Sequence, residues 1–191
     1  MKFNTVIHKV TACLLLLGLY GCANVPSHII IAPEISSPSN TVQNNKQAQL
    51  DVIDMRTSNH IVQIMREGKA AILVSAQERL ENTIQETLTK HWKKQQLTLN
   101  NNAINTINIT IDKAIINVEQ STFDYKVQTE IILKVIVNNG SETLTSTFKN
   151  RGNSDGPFKA DIAVLERNFN ERLAKLLEQI IVNQKISDFL I

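Results

Sequence analysis

Cysteine is nearly missing from this chain: there are two, Cys13 and Cys22, and both lie in its first 22 residues. The remaining 169 positions therefore hold no disulfide pair, and the domain they form must stand on its core alone. Aromatic side chains are also scarce, with a single tryptophan, so Ile, Leu and Val have to build that core. The six glycines form no phosphate-binding loop, no Gly-x-Ser-x-Gly elbow is present, and so neither nucleotide binding nor serine hydrolysis has a motif to rest on. Nor does charge of one sign dominate. If the first 21 residues are removed, Lys2 and Lys9 go with them, leaving 18 basic against 18 acidic residues. A neutral domain has no basic field to gather nucleic acid, and no nucleic-acid partner is expected.

One apolar run stands at the N-terminus. Lys2, His8 and Lys9 form a basic head before Val10–Tyr20, which contains four consecutive leucines. The run is too short to cross ~30 Å of hydrocarbon as a helix, and this order of segments is that of an export signal. It closes on Leu19-Tyr20-Gly21-Cys22, which resembles the lipobox of bacterial lipoproteins: an aliphatic residue, a variable one, a small one, then cysteine. The thiol is needed for a thioether to diacylglycerol, and the small residue admits the peptidase. Residues 1–21 are thus expected to be a signal peptide, with Cys22 the lipid-bearing residue and the membrane a partner through that lipid. Ala23 follows where Asp usually retains proteobacterial lipoproteins in the inner membrane, so the resemblance implies the periplasmic face of the outer membrane.

Residues 22–47, with Pro26, Pro33 and Pro38 and a polar Ser-Asn run, read as a tether, and 48–191 as one periplasmic domain. His28-Ile29-Ile30-Ile31 interrupts the tether as a candidate edge strand. Leu50, Val52 and Ile53 mark a buried strand. Ile61–Met65 and Ala70–Val74 flank Arg66-Glu67-Gly68 as a hairpin. Ser75-Ala76-Gln77-Glu78 reads as a capping box opening a helix whose apolar stripe runs Ala76, Leu80, Ile84, Leu88, Trp92. Ile107, Ile109 and Ile111 shift phase to Ala114, Ile116 and Val118, which predicts a β-bulge. Val127–Val137 alternates as a half-exposed strand, Asn138-Asn139-Gly140 turns it back, and Leu144–Phe148 returns. Asn150–Pro157 reads as a loop, Asp161–Asn183 as a helix, and Ile186–Ile191 as an apolar tail. The fold class expected is an α+β or α/β two-layer sandwich, with a mostly antiparallel or mixed sheet and two helices packed on one face.

Together the lipobox, the strand ending Val52-Ile53-Asp54-Met55-Arg56-Thr57 and the closing Ile186-Ser187-Asp188-Phe189-Leu190 resemble the YajG-type lipoprotein family of Gram-negative bacteria. The resemblance implies location and a small α/β fold; it carries over no catalytic residues.

Asp54 and Arg56, two apart on a strand, share a face. They suit an ion pair organising the next loop, or a charged interaction surface for an envelope protein. His28, His60 and His91 share no metal-ligand spacing, and no cofactor is expected. Lys90, Lys93 and Lys94 around Trp92 read as a helix C-terminus. A non-catalytic accessory or adaptor module is the expected function. A small envelope hydrolase acting on peptidoglycan or lipid requires convergent carboxylates or a Ser/His pair. A carrier of an apolar ligand requires a cavity of ~300–1,000 Å³.

Overall fold

A computed structural model describes residues 26–36 and 46–191. The expected signal peptide, the expected lipidation residue Cys22 and part of the expected tether lie outside the described residues. Eight strands form one mixed sheet: β1 (His28–Ile29), β2 (Gln47–Asp54), β3 (His60–Arg66), β4 (Lys69–Ala76), β5 (Thr98–Leu99), β6 (Thr106–Gln120), β7 (Asp124–Asn138) and β8 (Thr143–Pro157). The helices are α1 (Leu80–Lys94), α2 (Ile162–Ile181) and the short α3 (Gln184–Phe189).

The three long strands β6, β7 and β8 run antiparallel. On its other edge β6 has two partners in series. Its first half pairs with β2 and its second half with β3, both parallel to it. At that point the sheet branches: β5 continues from β2, while β4 and then β1 continue from β3. Strands of 15 residues twist too far to lie flat, and the phase change at Asp112 skips one residue between the pairs Ile111–Leu133 and Lys113–Ile132. The sheet therefore curls into a half-barrel, which replaces the simple two-layer sandwich expected from sequence.

Alternation assigns the two faces. Ile107, Ile109, Ile111, Ala114, Ile116 and Val118 of β6 are buried, as are the odd residues Val127–Val137 of β7. Against them pack Leu80, Ile84, Leu88 and Trp92 of α1, and Leu165, Phe169, Leu173, Leu176 and Ile180 of α2, in a single core. Asp161 caps α2, accepting from the Ala163 N–H at 2.8 Å. The apolar tail coils into α3, placing Ile186 and Leu190 in the core.

Two local expectations are corrected and a third is met. Ser75 caps no helix: it lies within β4, one residue before its end, its N–H donating to Ser27 of the chain entering β1, and Gln77 N–H donates to Ile29. Pairing with β1 draws these residues into the sheet, and α1 starts later, at an Arg79 N-cap without a side-chain bond. Asn150–Pro157 is not a loop, for β8 pairs with β7 along its whole length. Pro157 fits this strand because Phe158 N–H bonds to Phe123 O, so the next residue back turns its missing N–H to the free edge. The candidate edge strand at His28–Ile31 is met by β1 at the edge of the sheet: Ile29 and Ile31 are core residues, and the Ile30 and Ala32 N–H groups donate to Glu166 and Asn170 of α2. The folded domain therefore takes in residues that the composition had assigned to the tether.

Candidate functional site

The branch in the sheet leaves a cleft of about 700 Å³, walled by the end of β2, the end of β4 and the first turn of α1. Its floor holds the two residues that the sequence singled out. Asp54 is the last residue of β2, and Arg56 lies two further on, where the chain leaves the sheet before β3. Arg56 grips Asp54 as a fork: Nε donates to Oδ1 at 2.9 Å and Nη2 to Oδ2 at 2.7 Å. The Arg56 main-chain N–H also donates to Asp54 Oδ1, at 3.1 Å. Nη1 reaches across to the Ala114 carbonyl of β6 at 3.1 Å. Ala114 lies between the stretch of β6 paired with β2 and the stretch paired with β3. The guanidinium thus occupies the break between two strands that share one neighbour. Both side chains are largely covered, at 7% and 13% exposure for Arg56 and Asp54. Burial pushes the Asp54 carboxyl up, but the Arg56 hydrogen bonds and charge, aided by Arg79, outweigh it and hold the group below its ordinary value.

The rim is polar and of mixed sign. Glu78, Arg79 and Glu81 line it, and Arg79 pairs with Glu81. The β2 backbone also faces the cleft. Gln49 N–H donates to Asn105 O at 2.8 Å and Met55 N–H to Ile111 O at 3.2 Å, so the odd residues of β2 face β6. The even residues Leu50, Val52 and Asp54 turn their backbone groups to the opposite edge. Pairing with β5 there ends at Ala48, and no other described strand covers the rest.

Sequence spacing had kept the histidines apart, yet the sheet brings two of them level. His28 and His60 both stand opposite Ser75, on strands either side of it. Their rings are engaged elsewhere: His28 Nδ1 with Ser27, His60 Nδ1 with Ser58 and His60 Nε2 with Gln63. His91 stays apart on α1, where burial and the charges of Lys94 and Lys90 hold its pKa below the ordinary value. Among the described residues no three His, Cys, Asp or Glu side chains converge as for a metal, and no helix is long and apolar enough to cross a membrane. The cleft and the identity of the free edge as that of β2 have no local pattern in the sequence, because both arise from the branch.

The family described as "Uncharacterized lipoprotein" matches residues 33–191, which is most of the chain. The chain belongs to the YajG-type lipoprotein family. No curated protein matches it. Among solved structures, protein XCC0632 from Xanthomonas campestris, of family DUF330, is similar with a TM-score of 0.55 at 11% identity, over 83% of this chain and 95% of that one. That likeness is one of fold. Hypothetical protein CT253 from Chlamydia trachomatis matches at a TM-score of 0.30 and 8% identity, over 73% of this chain and 96% of its own.

Proposed function

We propose that this lipoprotein is a non-catalytic binding module, held by lipid on Cys22 at the periplasmic face of the outer membrane, whose partner is an envelope protein seated in the cleft above Asp54 and Arg56. The observation that carries the reading is the unpaired outer edge of β2 beyond Ala48, opening into that cleft. A sheet edge receives an extended segment through main-chain hydrogen bonds, which are indifferent to the guest's side chains. Charges of both signs at the rim then select among guests and steer their approach. The Asp54–Arg56 pair keeps the floor rigid, since its donors and acceptors are already joined to each other and to β6. Residence in the envelope fits the family, and placement at the outer membrane rests on Ala23 after Cys22.

The test is site-specific photo-cross-linking in intact envelopes. A photoreactive residue replacing Ile53, which lines the cleft and is half exposed, is expected to capture one discrete envelope protein. Capture should fall when Arg79 and Glu78 are reversed in charge. Equal capture from a probe at Lys149, on β8, would reject the cleft as the binding site. Turnover of a muropeptide or phospholipid by the purified protein, abolished by one carboxylate substitution, would overturn the non-catalytic reading.

A further inference from the structure

The end of the sheet remote from α3 carries two phenylalanines that no core claims. Phe123 sits in the β6–β7 turn and Phe158 just beyond β8, at 77% and 67% exposure. They are not independently placed, because Phe158 N–H donates to Phe123 O at 2.8 Å and fixes the two turns side by side. Phe158 also adopts a left-handed backbone, with φ at +65°. That region is unfavourable for a bulky side chain, and such positions persist where the surroundings impose them. Lys69 and Lys159 stand exposed at the same end, lining with Phe158 a cleft of about 640 Å³.

Chain direction relates this end to Cys22. β1 runs parallel to β4, with His28 opposite Ser75. β4 begins at Lys69, beside the β3–β4 turn, and Arg66 there pairs with Gln120 at the end of β6. The chain preceding His28 therefore arrives from the end that bears Phe123 and Phe158. Five residues separate Cys22 from His28, six Cα steps with a reach of at most ~20 Å for a trans chain. From Ser75 down to Lys69 is a similar ~20 Å of strand. A lipid on Cys22 therefore has the reach to meet a membrane at the level of the two rings, and not far beyond it.

We propose that the end of the sheet bearing Phe123, Phe158, Lys69 and Lys159 lies against the membrane that holds the chain through Cys22, with both rings at the boundary between headgroups and acyl chains. Phenylalanine favours that depth, and lysine ammonium groups reach the phosphates around it. The cleft above Asp54, at the level of Ile111 in mid-sheet, then stands roughly 30 Å of strand back from the bilayer surface. The inference rests on the lipid anchor of the preceding reading, and the experiment separates the two.

The acylated protein is reconstituted in vesicles of phosphatidylethanolamine and phosphatidylglycerol whose acyl chains are brominated. Tryptophan is introduced singly by Phe158→Trp, and by Asn101→Trp at the opposite, β5 end; buried Trp92 is common to both variants. Phe158→Trp is expected to show a blue-shifted emission and at least twofold more quenching than Asn101→Trp. Equal quenching, with acylation of Cys22 confirmed by mass, would overturn the membrane contact and leave the anchor standing. An unacylated chain would refute the anchor, and quenching of Phe158→Trp on vesicles added to it would still decide the contact.

Discussion

Arg56 donates to the carbonyl of Ala114, and this one bond at 3.1 Å spans the place where β2 has left β6 and β3 has not yet joined it. The guanidinium does in the interior what a backbone N–H does along an unbroken ladder. It carries its own counter-ion, Asp54, held by two further bonds. Removing one member leaves the other buried without compensation, which typically costs ~3–5 kcal/mol for a fully buried pair. With the slight exposure here, Asp54→Ala and Arg56→Ala are each expected to lower stability by about 2–4 kcal/mol in denaturant unfolding. Arg56→Lys should recover only part of this, because an ammonium cannot reproduce the fork. Wild-type stability in all three would show that the pair organises nothing.

Acid should lower the stability of the protein in two stages. The His91 pKa is held below its ordinary 6.5, so the folded state resists protonating a ring that the unfolded chain protonates readily. That contribution is complete above 6.5 and is lost as pH falls below it. Asp54 is held below its ordinary 3.8, so its contribution is complete above that value and disappears as pH drops through the lower, folded one. Stability measured from pH 8 to pH 3 should show the upper stage vanish in His91→Gln and the lower stage shrink in Asp54→Asn, the remainder belonging to Glu130, which Lys113 and Arg151 also hold below its ordinary value. A pH profile unchanged by His91→Gln would remove that residue from the account.

What was legible in the sequence follows the range of the interaction concerned. The stripe through Leu80, Ile84, Leu88 and Trp92, the alternation of β7 and the bulge at Asp112 are periodicities written within 15 residues, and the structure contains all of them. The Asp54–Arg56 pair is of the same kind, since a strand places residues i and i+2 on one face. Its contact with Ala114 is 58 residues away and had no local trace. Ser75 shows long range overriding short: its capping signal is real as a pattern, but a strand 47 residues upstream claims its backbone. β8 was mistaken for a loop from Asn150 onward because its glycines and polar residues are chosen for their neighbours, Arg172 over Gly152 and Tyr125 beside Gly156.

That fit yields a double-mutant test. A Cβ on Gly152 would fall within 2.0 Å of the Arg172 guanidinium, which bonds Asn150 at 3.0 Å and the Arg151 carbonyl at 3.2 Å. The long side chain can swing away, but only by giving up those bonds. Gly152→Ala is therefore expected to cost about 1 kcal/mol in the wild-type background. In an Arg172→Ala background the same change should be neutral or slightly stabilising, as alanine suits a strand better than glycine. Equal costs in both backgrounds would show that the glycine serves something other than Arg172.

Ser75 and Asp161 make a matched pair of cap substitutions. Asp161→Ala removes the acceptor for the Ala163 N–H and should cost about 1 kcal/mol. Ser75→Ala leaves intact the main-chain bond to Ser27, which is what holds Ser75 in place, and should change thermal stability by less than 0.5 kcal/mol, roughly the surface norm. A loss of about 1 kcal/mol in Ser75→Ala would restore the capping role that the sheet has displaced.

Anchoring and sorting are separable at two adjacent positions. On the proposed reading Cys22 supplies the thiol for the lipid, whereas Ala23 bears on where the lipoprotein is delivered. Cys22→Ala should abolish incorporation of labelled fatty acid and leave the protein unprocessed at its signal segment. Ala23→Asp should keep the label in full and move the protein from outer-membrane to inner-membrane fractions. The two outcomes differ because acylation reads the residues ending at the cysteine, while retention reads the residue after it. The folded domain should be unaffected by either change, since the first core residue among the described ones is Ile29, further along the chain than both. A labelled Ala23→Asp protein still in the outer-membrane fraction would uphold the anchor and reject the sorting rule for this chain. An unlabelled wild type would reject the anchor itself.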